Sequence, residues 1–277
     1  MTALNLGLVQ IPVEDGCYSA NFDRVRRLIE THGPSHDLLL FPETCLSGFS
    51  SRNEVHTIAE SLEGPTVAEL CALAKRWNTS LCIGLAERAA TGIYNSAVLI
   101  DPQGLVMSYR KTHLWIDDRG IFLPGNELRV CRWGNILVGI LICFDIEFPE
   151  PARALAALGA ELILVVNGNM DPHAPTHRRA AAARAEENQI FVATANRVGT
   201  GGKDMFAGES TVVAPSGEVL LRLNRNEAVG TARIDTSDIA ASRSRYRYLD
   251  DRRILAARLP MVPSAGGGEI AFEPVAS

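Results

Sequence analysis

Four groups with reactive or polar side chains each come directly after a predicted β-strand. They are the carboxylate of Glu43, the amine of Lys111, the thiol of Cys143 and the amides of segment 167–169. Ligands of open α/β sheets bind beyond the carboxyl ends of the strands. We therefore expect these side chains, which are far apart in the sequence, to share one cleft.

A thiol, a carboxylate and an amine in one cleft can perform acyl transfer. A free thiol with a pKa of ~8.5 is mostly protonated at neutral pH, so it needs a base to act as a nucleophile. Glu43 would take the proton of Cys143 and later give it to a departing amine, while Lys111 would stabilise the thiolate and the tetrahedral oxyanion. The backbone N–H of Phe144 is the second candidate oxyanion donor. Water would then hydrolyse the thioester.

Each of these residues also has a purely structural interpretation. A cysteine at the end of an apolar strand most often packs in the core. A glutamate after Phe-Pro usually caps a helix or lies at the surface, and a lysine is usually a solvated charge. Position along the chain therefore leaves both interpretations of Glu43, Lys111 and Cys143 open.

The elements that must position these side chains form two predicted strand–helix–strand units. The first comprises residues 4–10, 19–30 and 37–41, and the second comprises residues 136–142, 149–158 and 162–166. Each unit should be a right-handed parallel crossover. Further strands are predicted at 81–87, 94–100, 105–109, 191–195, 209–213, 219–223 and 230–234, and further helices at 66–77 and 176–189. Hairpins at 101–104 and 215–217 make the sheets mixed, and the pattern predicts one α/β domain.

Composition excludes several classes of protein. The 277 residues are 47% hydrophobic and 21% charged, with a net charge of −5, which argues against nucleic acid or an anionic membrane as the main partner. No run approaches the roughly 18 apolar residues of a membrane span. The six cysteines include no C-x-x-C pair. Without a visible signal peptide, reduced thiols and a cytoplasmic location are the expectation.

Other motifs favour structural roles. His173 and His177 have a spacing that could bind a metal on a helix, but the neighbouring prolines should break that helix, so no metal is expected. His113 is expected to brace the loop after Lys111. Segment 199–203 fails the phosphate-binding loop pattern and is expected to be a flexible loop at the active site. The basic and aromatic stretch 243–253 is assigned to subunit contacts or internal ion pairs.

Three motifs resemble the nitrilase superfamily of carbon–nitrogen hydrolases. They are Phe41–Glu43, Tyr109–Leu114 and Cys143–Glu150, and they place glutamate, lysine and cysteine in the order of that family's catalytic triad. Shorter matches follow at 122–125, 184–188, 195–197, 208–210 and 251–253. The resemblance covers about residues 4–253.

This resemblance implies an αββα sandwich of two mixed sheets with helices on the outer faces, in a domain spanning 1–263. It implies a homodimer or larger homo-oligomer and hydrolysis of a non-peptide C–N bond without metal or organic cofactor. Residues 264–277 would form an extended C-terminal tail. The residues after Cys143 are most similar to amidases acting on small amides, which predicts hydrolysis of a carboxamide to acid and ammonia. Nitrile hydrolysis, N-carbamoyl amine hydrolysis and a catalytically impaired binding protein are the alternatives.

Several residues near the triad could set substrate choice. Many family members carry a second glutamate where this chain has Asp118, whose carboxylate would lie about 1.5 Å further back. Asp117 or Asp118 could still orient Lys111. Asn169, Met170 and His173 are possible pocket walls. Glu147 could favour a cationic substrate or pair with an arginine, and both options stay open.

Overall fold

The computed structural model describes residues 3–253. The proposed tail, 264–277, and the end of the proposed domain at residue 263 lie outside the described residues. Within 3–253, no helix is both long and apolar enough to cross a membrane.

The described chain alternates strands and helices. The strands are β1 (Ala3–Gln10), β2 (Leu38–Leu40), β3 (Ser80–Ala89), β4 (Gly92–Asp101), β5 (Gly104–Arg110), β6 (Val130–Trp133), β7 (Ile136–Ile142), β8 (Leu162–Asn167), β9 (Phe191–Asn196), β10 (Val198–Gly201), β11 (Asp204–Ala207), β12 (Thr211–Val213), β13 (Val219–Arg222) and β14 (Ala228–Asp235). The helices are α1 (Tyr18–His32), α2 (Arg52–Ile58), α3 (Pro65–Trp77), α4 (Pro149–Ala157), α5 (Ala174–Asn188), α6 (Ser237–Ser242) and α7 (Tyr248–Asp251).

Two six-stranded mixed sheets form the centre of the molecule. Their strand orders are β14-β1-β2-β3-β4-β5 and β13-β12-β9-β8-β7-β6. β1 and β2 are parallel and joined through α1, while β7 and β8 are parallel and joined through α4. Both predicted strand–helix–strand units are therefore confirmed. Antiparallel strands complete both sheets.

The sheets pack face to face, with helices on their outer faces. Alternation along β2 illustrates the layering, since Leu38 and Leu40 belong to the core between the sheets while Leu39 packs with α1 and α3. α1 buries Val25 and Ile29 against the first sheet, and α4 and α5 cover the second. The αββα sandwich expected from the resemblance is the observed architecture.

The segment 199–203, expected to be a flexible loop, lies instead in a paired hairpin. β10 and β11 form an antiparallel ladder from the Val198–Ala207 pair to the Gly201–Asp204 pair. The expectation was wrong because the segment is short, polar and rich in glycine, so it carries no hydrophobic periodicity. β6 and α2 were missed because both are too short to show a hydrophobic periodicity. Their residues are few, and contacts with distant parts of the chain stabilise them.

A glycine on β3 allows the strand to approach the loop that carries Glu43. A Cβ atom at Gly84 would lie 2.6 Å from the backbone nitrogen of Thr44 and 2.7 Å from the Cα of Glu43. These neighbours are backbone atoms, which cannot move away as the end of a flexible side chain could. The close packing of Gly84 therefore fixes the position of the Glu43 backbone.

We expect Gly84→Ala to lower the free energy of unfolding by about 2 kcal/mol, since overpacking a close-packed site forces backbone shifts. It should also lower kcat, because the shift moves Glu43. Chemical denaturation and steady-state kinetics measure both effects. Unchanged values for the two would contradict this account of the loop.

Candidate active site

The nucleophile candidate lies at a sharp turn after a buried strand. β7 ends at Ile142, and Cys143 begins a short 3-10 helix, Cys143–Glu147, with a φ of +45°. Residues other than glycine rarely adopt this left-handed region, and such strain is typical of functional sites. The turn places the Cys143 side chain, which is 8% exposed, in the wall of a cavity.

The buried carboxylate of Asp145 ties this turn to the segment around Lys111. It accepts hydrogen bonds from the backbone N–H of Ile142 at 3.0 Å and of His113 at 2.8 Å. The hydroxyls of Tyr109 and Thr112 also donate to it, each at 2.9 Å. Nδ1 of His113 lies 3.0 Å from the same carboxylate. His113 therefore braces the loop, as the sequence predicted.

Lys111 is buried between two carboxylates. Its Nζ donates to Glu43 Oε1 at 2.7 Å and to Asp118 Oδ2 at 2.6 Å. The Asn95 side-chain amide donates to the same oxygen of Glu43, at 2.7 Å. The shorter side chain of Asp118 thus still reaches Lys111. Asp117 does not, because its side chain is exposed and lies 3.6 Å from Lys203.

Burial and charge set the protonation of the three groups. Burial raises the pKa of Glu43 above its usual range, although the Lys111 ammonium opposes this. Burial acts to lower the pKa of Lys111, but the carboxylates of Glu43 and Asp118 outweigh it and raise the pKa. Burial and the charge of Glu43 raise the pKa of Cys143. The Lys111 ammonium and the backbone N–H of Gly168 act to lower it but do not outweigh them. The resting enzyme therefore holds a thiol and an ammonium.

Glu43 has one oxygen that is free to accept a proton. Among the buried side-chain atoms of residues 3–253, Glu43 Oε2 is one of the few without a hydrogen bond. Gly168 lies beside it, and a Cβ atom there would come within 2.6 Å of this oxygen. The absence of a side chain at Gly168 therefore lets Glu43 and Phe49 pack directly against the backbone there.

Glu43, Lys111 and Cys143 line one cavity of about 230 Å³. The other residues that the sequence proposed for the site also line it, namely Asp118, Phe144, Glu147, Asn169, Met170 and His173. Residues 201–203 of the segment expected at the active site also line the cavity. The structure adds lining residues that the sequence analysis missed, namely Asp15, Phe49, Ser50, Trp115, Ile121, Phe122, His177, Asp204 and Phe206. Most of these lie in irregular or short segments, where periodicity gives no signal.

The carboxylate of Glu147 pairs with a histidine and not with an arginine. Its Oε1 lies 3.0 Å from Nε2 of His177. Arg184 instead donates to the main-chain carbonyl of Glu147, at 3.0 Å, and forms an ion pair with Glu187, also at 3.0 Å.

The two histidines proposed as metal ligands do not form a shared site. His177 lies within α5, because Pro175 is accommodated in the first turn of the helix, and His173 precedes that helix. The His173 ring packs on Trp115 at a centroid distance of 5.3 Å. Within residues 3–253, no group of three or more potential ligands could hold a metal ion.

The sequence profile of the Carbon-nitrogen hydrolase family matches residues 5–244. The chain belongs to this family. An (R)-stereoselective amidase of Pseudomonas sp. is 43% identical to this hydrolase over 253 residues, which cover 91% of this chain and 92% of the relative. The hydrolase therefore falls in the amidase-like branch of the nitrilase superfamily and is an enzyme acting on C–N bonds.

Solved structures share the fold of this hydrolase. A CN-hydrolase superfamily protein of Xanthomonas campestris, with an arsenic adduct in its active site, is 28% identical and matches with a TM-score of 0.86 over 93% of this chain and all of that chain. The amidase of Nesterenkonia sp. AN1 is 27% identical, with a TM-score of 0.78 over 90% of this chain and 94% of that chain. A variant of that amidase carries the acetamide moiety of fluoroacetamide on its active-site cysteine.

We expect Asp145→Asn to loosen the connection between the two loops. An amide has a single acceptor oxygen, so it cannot accept all the bonds made by the carboxylate. The free energy of unfolding should fall by about 2 kcal/mol, because buried donors lose their acceptor, and kcat should fall with it. Denaturation and steady-state kinetics provide the readouts. Asp238→Asn, an exposed change on α6, is the control and should alter neither. An Asp145→Asn variant that behaves like this control would contradict the proposed connection.

Proposed function

We propose that this hydrolase converts a small carboxamide to its acid and ammonia through a thioester on Cys143. The observation that carries this proposal is the buried Lys111 ammonium between Glu43 and Asp118, in the same cavity as a thiol at a strained turn. The amidase relatives support the choice of an amide, and the covalent adduct on a related cysteine supports the nucleophile.

In the acylation half-reaction, Cys143 Sγ attacks the amide carbon as Glu43 Oε2 takes the thiol proton. Because burial keeps the thiol protonated at rest, proton transfer accompanies attack. The Lys111 ammonium and the Phe144 N–H stabilise the oxyanion. Glu43 then gives its proton to the amide nitrogen, the C–N bond breaks, and ammonia leaves.

In the deacylation half-reaction, water attacks the thioester carbon while Glu43 accepts a proton from it. The second tetrahedral oxyanion is held by the same two donors. The C–S bond then breaks, and the proton on Glu43 returns to the sulfur. Acid is released, and the thiol and the Glu43 carboxylate are regenerated.

Asp118 has a positioning role in this scheme. It binds Lys111 at 2.6 Å and also accepts the Trp115 backbone N–H at 3.1 Å. It thereby holds the ammonium without competing for the Oε2 atom of Glu43. While Glu43 carries the proton, Asp118 remains beside Lys111, so the ammonium keeps a partner throughout the cycle.

The resemblance to the superfamily also supports proposals about assembly and location. We propose that the hydrolase forms at least a homodimer and works in the cytoplasm. The stretch 243–253, which carries the ion pair between Arg247 and Asp250, is the proposed subunit contact.

We expect Cys143→Ala to abolish release of ammonia from any amide that the wild-type enzyme accepts. Intact-protein mass spectrometry during brief exposure to substrate should show the wild-type enzyme with the added acyl mass, and the variant without it. Cys17→Ala is the matched control, because Cys17 is an exposed free cysteine outside the cavity, and it should retain both signals.

Near-wild-type ammonia release by Cys143→Ala would disprove the proposed nucleophile. Release of carbon dioxide together with ammonia would instead indicate an N-carbamoyl substrate. Turnover of a nitrile without turnover of the matching amide would identify a nitrilase. Failure of the wild-type enzyme to form any adduct across an amide panel would indicate the impaired binding protein.

The pH profile should reveal the raised pKa of Glu43. Glu43 must be ionised to accept the thiol proton, so activity falls as the pH drops through its pKa. We therefore expect the acid limb of kcat/KM to lie above the ordinary glutamate value of about 4.3. Glu43→Gln should lower kcat by about 10³-fold. An acid limb at or below the ordinary value would contradict the assignment of Glu43 as the base.

A further inference from the structure

The cavity around Cys143 carries an excess of negative charge. Six lining residues are carboxylates, namely Asp15, Glu43, Asp117, Asp118, Glu147 and Asp204. The lining includes two lysines, Lys111 and Lys203, and no arginine. A ligand that enters this space therefore meets more acidic than basic groups.

Most of these charges are already paired within the protein. Lys111 pairs with Glu43 and Asp118, and Lys203 with Asp117. Asp15 pairs with the buried Arg197 at 3.0 Å. Among the residues that the structure describes, the two lining carboxylates without a lysine or arginine partner are Glu147 and Asp204. Asp204 lies on the hairpin, whereas Glu147 closes the turn that begins with Cys143.

The histidine beside Glu147 contacts one of its two carboxylate oxygens and leaves the other unoccupied. The Asn167 amide nitrogen faces Nδ1 of His177 at 3.0 Å, so Nδ1 is the acceptor in that bond. The ring proton is then on Nε2, which donates to Glu147 Oε1 at 3.0 Å. Both ring nitrogens are therefore used in hydrogen bonds, and the ring orients the carboxylate. Within residues 3–253, Oε2 of Glu147 has no hydrogen-bond partner, and the side chain is 24% exposed.

The position of Glu147 fits recognition of a group close to the reacting carbonyl. Glu147 follows Cys143 by four residues within one short 3-10 helix, which corresponds to roughly 8 Å along its axis. A short substrate can bridge that separation. The rings of Trp115 and Phe144, whose centroids are 5.0 Å apart, line the same cavity and offer aromatic contacts to a cation.

We propose that the substrate is a small amide that also bears an ammonium group, and that Glu147 Oε2 binds this group. This inference rests on the proposed amide hydrolysis. The ammonium gains an ionic hydrogen bond and aromatic contacts. An anionic amide would meet a carboxylate at the same position and be disfavoured.

Three amides of similar size test the inference at neutral pH. They are 3-aminopropanamide, which is cationic, butanamide, which is neutral, and succinamate, which is anionic. For the wild-type enzyme we expect kcat/KM to fall in that order, with a ratio of about 30 between the cationic and neutral amides, as a charged hydrogen bond provides. A wild-type preference for butanamide or succinamate would overturn the inference.

Glu147→Gln removes the charge and keeps the size of the side chain and an acceptor for His177. The ratio of kcat/KM for 3-aminopropanamide to that for butanamide should fall by about 30-fold. Glu150→Gln is the matched control, because it removes the same charge from an exposed position on α4 outside the cavity. Its ratio should stay within about twofold of wild type. An unchanged ratio in Glu147→Gln, or an equal fall in Glu150→Gln, would overturn the inference.

Binding separates this inference from the proposed hydrolysis. In Cys143→Ala, calorimetry should show 3-aminopropanamide binding at least about tenfold more tightly than butanamide. The double variant Cys143→Ala/Glu147→Gln should lose this preference. A binding preference without turnover by the wild-type enzyme would support the cation site and refute amide hydrolysis. Turnover through Cys143 with no preference in either assay would refute the cation site alone.

Discussion

The buried ammonium of Lys111 is the interaction on which the site depends. Removing a charge from water costs several kcal/mol, and that cost is offset only when the partners have good geometry. The carboxylates of Glu43 and Asp118 have this geometry, since their oxygens lie 2.7 and 2.6 Å from Lys111 Nζ. Lys111 therefore stays protonated inside the protein. The same contacts orient the Glu43 carboxylate, because Lys111 and Asn95 both donate to its Oε1 and Oε2 is left without a hydrogen bond. In the proposed mechanism, one ion cluster therefore provides both the oxyanion charge and the oriented base.

The sandwich brings this cluster to the nucleophile. Glu43 and Lys111 follow strands of the first sheet, whereas Cys143 follows a strand of the second. The packing of one sheet on the other therefore sets the relation between the ion cluster and the thiol. Asp145 reinforces it, because one carboxylate binds both the Ile142 backbone and the loop after Lys111. Substitutions far from the cavity that shift one sheet against the other would therefore change the distance between the Cys143 sulfur and the ion cluster.

The cavity walls have a different origin from the catalytic groups. Phe49 and Phe206 stack at 5.5 Å, with the guanidinium of Arg197 3.9 Å from the centre of the Phe206 ring. Arg197 is fully buried and pairs with Asp15, so it joins the loop after β1 to the β10–β11 hairpin. These loops are attached to the sandwich by a few polar and aromatic contacts. Substrate choice can therefore vary with the walls while the ion cluster stays the same.

The sandwich was expected from the family resemblance. The sequence pattern by itself determined the mixed α/β class, both parallel units and the residues at the strand ends, including Glu43, Lys111 and Cys143. These features are local, because neighbouring residues determine the periodicity of a strand and the point where it ends. Only the tertiary structure decided that Glu147 pairs with a histidine, that segment 199–203 is a hairpin and that the resting sulfur is a thiol. Partner choice, cavity shape and desolvation arise from groups distant in the chain that meet in the folded protein, so no local pattern encodes them.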